Sequence, residues 1–333
     1  MKTPFHILAA TDFSAPSRHA VDRAFRLAAE SGAQVTLMHA IQQRAIDELR
    51  SLLGHESEPI VERIRQQAHD VLSQLIAERG QARGVSAAAH LAAGNVLRVI
   101  VAHADAIDAD LLVVGARGEG FLRYLWLGST AARLLRLTRR PTLVVKQAPH
   151  EPYRRILVPV DFSPGAAAAL RLARTLAPDA QIVLLHAFEA PFEGKLAFAG
   201  VEEALIQHYR ARAKDEALQQ LHSLAIAAGL TPTEASLRAL GDVSRGATYQ
   251  KEAQDKALRQ LHSLATASLG STKATLLALH GDPSRLIVEQ EQEQDCDLIV
   301  MGKHGQDMIE EFLLGSVTKH VLAESQGDVL VTG

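Results

Sequence analysis

The feature that most constrains this chain is a pattern that occurs twice along it. An apolar run ending in Asp-Phe-Ser stands at Phe5–Ser14 (FHILAATDFS) and again at Arg155–Ser163 (RILVPVDFS), and an alanine-rich stretch follows each. A second apolar run lies at Gln34–Ala40, with its counterpart at Gln181–Ala187. Because 333 residues exceed the usual size of one domain, the repeat predicts two domains with the same plan.

The boundary between the domains is predicted at Lys146–Arg154 (KQAPHEPYR), a polar segment with two prolines. We therefore place the first domain at residues 1–147 and the second at residues 153–333. Between the apolar runs, residues such as Val21 and Phe25 recur at helical spacing. Strands that alternate with helices predict an α/β fold in which right-handed βαβ units form parallel sheets.

A shorter repeat explains why the second half is the longer one. The stretch Asp215–Ala225 (DEALQQLHSLA) recurs 40 residues later as Asp255–Ala265 (DKALRQLHSLA), and a Gly-Asp pair recurs at the same offset. This indicates duplication of one αβ unit. We assign the later copy to the ordinary place in the domain and the earlier copy, about 215–254, to an insert at the sheet edge or in an outlying helical excursion.

Glycines and serines form a second matched pattern, G-x2-G-x9-G-S, which follows an apolar strand-like run in each half. Its residues are Gly115, Gly118, Gly128 and Ser129 in the first half, and Gly302, Gly305, Gly315 and Ser316 in the second. Glycines let backbone N–H groups converge on phosphate oxygens, and the closing Gly-Ser opens a helix whose positive end favours an anion. The spacing predicts a phosphate-binding loop in each domain.

Neighbouring side chains extend this candidate site. The hydroxyls of Ser129, Thr130 and Ser316 are further donors to phosphate. Arg117 and His304 share one loop position and are either phosphate donors or solvated loop side chains. The flanking residues Thr11, Val160 and Val317 complete the candidate set.

Two carboxylates stand where the first strand of each half ends, at Asp12 and Asp161. In an open parallel sheet, ligands bind at the carboxyl ends of the strands, where the strand order reverses. Asp12 and Asp161 are therefore candidates to accept hydrogen bonds from ribose hydroxyls or to help hold Mg²⁺. The alternative is that each carboxylate caps the helix that follows it.

Charge and cysteine content narrow the function classes. The formal net charge is -3, so the chain has no excess positive field for nucleic acid or anionic lipid, and we expect neither partner. The N-terminal apolar run is too short for a signal-peptide core or a membrane span. Cys296 is the single cysteine, which excludes an intramolecular disulfide and favours a cytoplasmic location.

The repeated Asp-Phe-Ser, the two glycine patterns and the stretch Gly315–Leu322 (GSVTKHVL) together resemble the universal stress protein family over essentially the whole chain. The glycine pattern is similar to that of the ATP-binding branch of the family. The resemblance implies that Asp12 and Asp161 meet ribose and that Ala40 and Ala187 lie beside adenine, where the family often has valine. Its implied ligand is ATP, or AMP or ADP, with Mg²⁺.

The same resemblance implies two tandem Rossmann-like domains of the adenine nucleotide alpha hydrolase-like type. Each would hold a five-stranded parallel sheet in the order 3-2-1-4-5. The last strands, Thr142–Val145 and Val329–Thr332, are expected to pair across a pseudo-twofold, so that one chain imitates a dimer of single domains. Further homodimerisation of the whole chain is an open alternative.

Binding is better supported by the sequence than catalysis, because we find no nucleophile-base pair, no GxSxG elbow and no GxxxxGK[ST] loop. We therefore expect a cytoplasmic, ATP-binding regulator of the stress response and no catalytic residue. The alternatives are a weak ATP hydrolase or nucleotidyl transferase, and an interaction scaffold with vestigial nucleotide sites.

Overall fold

The structure is a computed structural model, and it describes residues 5–116, 128–188, 193–233, 236, 273–303 and 314–333. The chain divides into two compact units. Of the described residues, the first unit contains 5–116, 128–152, 314–315 and 322–333, and the second contains 153–188, 193–233, 236, 273–303 and 316–321. Among the described helices, none combines the length and the apolar character needed to cross a membrane.

The N-terminal half alternates strands and helices as predicted. Its strands are β1 (His6–Ala10), β2 (Gln34–Gln42), β3 (Ala87–Gly94), β4 (Leu111–Gly115) and β5 (Thr142–Val145). Its helices are α1 (Ala15–Ser31), α2 (Gln43–Leu53), α3 (Ser57–Arg83), α4 (Val96–Ala106) and α5 (Ser129–Leu137), with a 3₁₀ turn at Gly54–Glu56. The sheet order is β3-β2-β1-β4-β5, with every pair parallel, which confirms the expected order for this half.

The C-terminal half follows the same plan with additions. Its strands are β6 (Arg155–Pro159), β7 (Gln181–Phe188), β8 (Thr231–Pro232), β9 (Lys273–His280), β10 (Leu298–Gly302) and β11 (Asp328–Thr332). Its helices are α6 (Pro164–Leu176), α7 (Glu193–Phe198), α8 (Glu203–Ala227), α9 (Pro283–Glu293) and α10 (Ser316–Glu324). The second unit has the order β8-β9-β7-β6-β10 with parallel pairs, so β8 is an extra edge strand.

The helices that follow the first strands begin where the sequence caps them. The Ser14 side chain accepts a hydrogen bond from the backbone N–H of Ser17 at the start of α1. Ser163 does the same for Ala166 at the start of α6, and both helices have proline in the first turn. Central strands are buried on both faces; the four residues Leu111–Val114 of β4 are all buried, as expected for a sheet covered by helices.

The described parts of the 40-residue repeat in the second unit include the helix α8, which carries part of the earlier copy, and the strand β9 of the later copy. The strand β9, which lies within the later copy, pairs with β7 and fills the third-strand position. The helix α8, which carries residues 215–225 of the earlier copy, packs against β7 and β9, as α3 packs against β2 and β3. The helical stretch of the later copy lies outside the described residues. The insert boundaries of 215–254 stay a prediction, and this packing favours an extra segment after α8.

The last strand of the chain belongs to the first unit, where β11 pairs antiparallel with β5. A buried ion pair supports this pairing: Nε of Arg23 in α1 lies 3.3 Å from Oδ2 of Asp328, and these side chains are 8% and 1% exposed. The backbone N–H of Lys146 donates to Oδ1 of Asp328 at 2.8 Å. The Lys146 ammonium group donates to the carbonyl of Ser325 at 2.7 Å. The C-terminal segment is therefore joined to α1 and to the end of β5.

We predict that Asp328→Asn lowers the free energy of unfolding of the first unit by roughly 3–5 kcal/mol, because it removes one charge of a buried pair. Chemical denaturation followed by circular dichroism measures the change. The control is Glu48→Gln, which breaks an exposed pair with Arg44 and is expected to cost at most about 0.5 kcal/mol. Equal effects of the two substitutions would show that Asp328 does not anchor the C-terminal segment.

Candidate functional site

The turns that follow β1 and β6 have the same construction. Phe13 and Phe162 adopt positive φ angles of 67° and 61°, a conformation that bulky residues rarely take. In the first turn, Oδ1 of Asp12 accepts hydrogen bonds from the backbone N–H of Ser14 at 3.1 Å and from its hydroxyl at 2.5 Å. In the second, Oδ1 of Asp161 accepts from the N–H of Ser163 at 3.0 Å. Both carboxylates thus stabilise the turn that starts a helix.

The side chains of Ser14 and Ser163 cap the two helices, while Oδ1 of Asp12 and of Asp161 holds the serine that does so, and both carboxylates are half-buried. Contact with ribose stays a prediction. No group of three or more His, Cys, Asp or Glu side chains able to hold a metal ion occurs in the described part of the chain. The predicted role in holding Mg²⁺ would therefore depend on ligand phosphates as additional oxygen donors.

A histidine in the second strand of each half forms a hydrogen bond with a backbone carbonyl at the end of the first strand. Nδ1 of His39 lies 2.8 Å from the carbonyl oxygen of Thr11, and the ring stacks on Phe13 with centroids 4.1 Å apart. Nδ1 of His186 lies 2.8 Å from the carbonyl oxygen of Val160. The strained turns are thus held from the neighbouring strand. Thr11 and Val160 are buried, and the hydroxyl of Thr11 accepts a hydrogen bond from the N–H of Phe13 at 3.0 Å.

The two ends of the glycine loop in the first unit lie side by side, next to the carboxyl end of β4. A Cβ atom on Gly115 would lie 2.9 Å from the backbone oxygen of Pro16, so only glycine lets α1 begin this close to the end of β4. The N–H of Ala116 donates to the carbonyl of Val145 at 2.8 Å, and the N–H of Gly128 donates to the carbonyl of Ala116 at 2.7 Å. The start of α5 is therefore held beside the carboxyl end of β4. Arg117 and Gly118 lie outside the described residues.

No side chain among the described residues caps the first turn of α5. Its N-cap is Gly128, whereas α1 and α4 are capped by the side chains of Ser14 and Asn95. Ser129 and Thr130 are exposed in this turn. The first N–H groups of an α-helix have no partner within the helix, so the start of α5 presents donors to a ligand.

A cleft of about 480 Å³ opens at the carboxyl ends of β2 and β3, beside the starts of α2, α4 and α5. It is lined by Gln42, Gln43, Arg44, Gly94, Asn95, Val96, Leu97, Ser129, Thr130 and Arg133. Of the predicted residues of this half, the cleft includes Ser129 and Thr130. Its described lining does not include Thr11, Asp12, Ala40, Gly115 or Gly128.

Sequence reasoning missed the other walls of this cleft. The available signal was the matched pair Gly94-Asn95 and Gly281-Asp282, because each pair ends a strand and its second residue caps the next helix. Underneath α4, the rings of His90 and His103 stack with centroids 3.6 Å apart. Burial, followed by the neighbouring His90, lowers the pKa of His103, so this contact between α4 and β3 is made by the neutral ring.

The second half of the chain repeats part of this arrangement. The Thr318 hydroxyl of α10 donates to the carbonyl of Gly302 at 3.2 Å and thereby ties the helix to the end of β10. Ser316 is exposed in the first turn of α10, while Gly315 and Val317 are half-buried. Ala187 lies near the carboxyl end of β7, as Ala40 does in β2, and both are half-buried. His304 and Gly305 lie outside the described residues.

Comparison with known proteins places these features in a family. The family model for the Universal stress protein family matches residues 5–146 and 152–333. A universal stress protein of Mycolicibacterium smegmatis is 30% identical over 175 residues, which are 50% of this chain and 58% of that protein. The chain therefore spans little more than half the length of this relative. Universal stress protein YxiE of Bacillus subtilis is 30% identical over 145 residues, 42% of this chain and 97% of that protein.

A solved structure supports the fold of the chain. The crystal structure of a universal stress protein from Archaeoglobus fulgidus matches with a TM-score of 0.62 at 17% sequence identity. The match covers 98% of this chain and 97% of that protein. At this identity the likeness concerns the fold alone.

We predict that Gly115→Ala destabilises the first unit by about 1–3 kcal/mol, because the new methyl group would overlap the backbone of Pro16. Thermal unfolding measures the change. Gly165→Ala in α6 is the matched control: its Cβ would lie 3.5 Å from Oγ of Ser163, an ordinary contact, and alanine favours a helix by up to about 1 kcal/mol. If Gly115→Ala and Gly165→Ala changed the stability by the same amount, the close approach of Pro16 to Gly115 would be contradicted.

Proposed function

The chain belongs to the universal stress protein family, and on that premise we propose that it is a cytoplasmic protein that binds ATP through its glycine-serine loops and regulates a stress response. The observation that carries this proposal is the start of α5. Its N-cap is a glycine, no side chain in the described part of the chain caps it, and its first two residues line the cleft of the first unit. An uncapped helix start in a cleft is the arrangement that a phosphate group needs.

We place the phosphates at Ser129 and Thr130, where two hydroxyls and the free N–H groups of α5 are available. We place the ribose towards Asp12 and the adenine towards Ala40, near the carboxyl ends of β1 and β2. In this proposal the base packs against the small side chain of Ala40. Mg²⁺, when bound, would neutralise part of the phosphate charge, with Asp12 as the candidate carboxylate.

The second half carries the same glycine-serine pattern, so we propose a second nucleotide site near Gly302, Gly315 and Ser316, with Asp161 and Ala187 in the roles of Asp12 and Ala40. We further propose that β5 and β11 pair as the last strands of two separate family subunits would. Binding would then act as a signal, since nucleotide held at the loops alters the surface offered to partner proteins.

The experiment is nucleotide identification followed by titration. Mass spectrometry of material released from the denatured protein identifies the resident nucleotide, and calorimetry with the emptied protein then gives the number of ATP sites. We expect about two sites per chain. Absence of nucleotide and of binding heat would favour an interaction scaffold, whereas steady release of ADP would favour a hydrolase.

We predict that Ser129→Asp weakens ATP binding at the first loop by roughly tenfold or more, because it adds a negative charge beside the phosphates. An acidic residue in the first turn of a helix stabilises the helix, so the thermal midpoint should stay the same or rise. This separates lost binding from lost folding. Ser129→Ala, which removes only the hydroxyl, should cost much less. Equal binding by the Asp and Ala variants would exclude phosphate from the start of α5.

A further inference from the structure

The cleft of the first unit carries positive charge from two helices. Arg44 belongs to the first turn of α2 and Arg133 to the second turn of α5, and both line the cleft. The described residues that line the cleft include no carboxylate. Any ligand held there therefore meets two guanidinium groups together with the N-terminal ends of α4 and α5.

Neither arginine is explained by the stability of its own helix. A cation in the first turn of α2 faces the positive end of the helix dipole, and that turn contains no acidic residue. Nε of Arg44 lies 2.9 Å from Glu48, but the Arg44 side chain is 82% exposed, and exposed pairs of this kind contribute little. Arg133 is exposed and forms no ion pair or hydrogen bond with the described residues. Both guanidinium groups are thus available to an anion.

The second half lacks this pair of cations. Aligning Gln34 with Gln181 matches Arg44 to Pro191, and aligning Gly128 with Gly315 matches Arg133 to His320. At two further cleft positions, the second half has a residue less suited to bind an anion. Asn95 corresponds to Asp282, and Thr130 corresponds to Val317.

Among the described residues at the carboxyl edge of the second sheet, Glu193 forms a cluster with Arg210 and His280. Nε of Arg210 donates to Oε1 of Glu193 at 2.8 Å, and Nε2 of His280 lies 3.0 Å from Oε2 of the same carboxylate. The hydrogen bond from Arg210 lowers the pKa of Glu193, so this carboxylate stays charged. Arg210 is therefore already paired with an acidic group, unlike Arg133.

We propose that Arg44 and Arg133 bind the β- and γ-phosphates of a nucleotide in the first cleft and make this half selective for nucleoside di- and triphosphates over monophosphates. The inference rests on the proposed nucleotide-binding function. Guanidinium groups bind phosphate oxygens through paired, charge-assisted hydrogen bonds, and each additional phosphate adds negative charge for them to meet. The second half, with Pro191 and His320 at these positions, binds nucleotide without this preference.

The test is calorimetric titration of AMP, ADP and ATP into the full chain at one fixed salt concentration. The chain carries Ser316→Asp to weaken the second loop. We expect ATP to bind the first half at least about tenfold more tightly than AMP. Arg133→Gln and Arg44→Gln should each reduce the ATP-to-AMP affinity ratio about three- to tenfold and leave AMP binding nearly unchanged, since AMP does not reach them.

The matched control is His320→Gln, at the position of the second half that corresponds to Arg133; it should leave the ratio unchanged. Because Arg44 and Arg133 are exposed, we expect their variants to fold, and the thermal midpoint checks this. Equal affinities for AMP and ATP, or an unchanged ratio in both arginine variants, overturn the selectivity while nucleotide binding stands. Failure of AMP, ADP and ATP alike to bind the chain without the Ser316→Asp change overturns the proposed function and this inference with it.

Discussion

The close approach of α1 to the end of β4 is the contact on which the architecture of the first site depends. Because Gly115 has no side chain, the backbone of Pro16 packs directly over it. The first turn of α1 and the turn at Asp12 are thereby fixed beside the point where the glycine loop leaves the sheet. The hydrogen bond from Gly128 to Ala116 then returns the chain to the same point. A larger side chain at Gly115 would separate the Asp12 turn from the start of α5.

This arrangement also explains why strain is tolerated in the two Asp-Phe-Ser turns. A positive φ at a phenylalanine costs of order 1–3 kcal/mol and persists only where surrounding contacts impose it. Here the contacts are the Asp side chain that accepts from the following serine, and the histidine of the second strand that bonds the carbonyl before the Asp. The turn places the backbone for the helix start. Its strain is therefore balanced by packing and is not evidence of catalysis.

Much of the fold could be predicted from the sequence because it depends on local patterns. Apolar runs, serine caps and glycine spacing predicted the strands, the helix starts and the division into two halves. The ion pair between Arg23 and Asp328 could not be predicted in this way, since the residues are far apart in sequence and neither belongs to a motif. The two copies of the 40-residue repeat have the same helical periodicity in sequence, so the periodicity could not predict that the earlier copy's helical stretch forms part of α8 against β7 and β9.

The cleft shows the same distinction between local pattern and tertiary placement. Ser129 and Thr130 were predicted because they close a glycine pattern. Arg44 and Arg133 were not, because exposed arginines on helices are common and the sequence does not indicate that two separate helix starts meet at one edge. The topology brings them together, since the carboxyl ends of parallel strands and the starts of the following helices share one side of a sheet.

Comparison of the two halves separates the residues that the fold requires from the residues that a bound ligand would contact. The matched residues that shape the backbone are kept: Gly115 with Gly302, His39 with His186, and the Asp-Phe-Ser turns. Two residues that line the cleft of the first half differ: Arg44 corresponds to Pro191 and Arg133 to His320. A surface arginine can be exchanged without loss of packing, whereas Gly115 cannot gain even a methyl group without a clash. Duplication has therefore left one scaffold with two differently charged edges, and a difference between the halves in ligand preference requires no difference in fold.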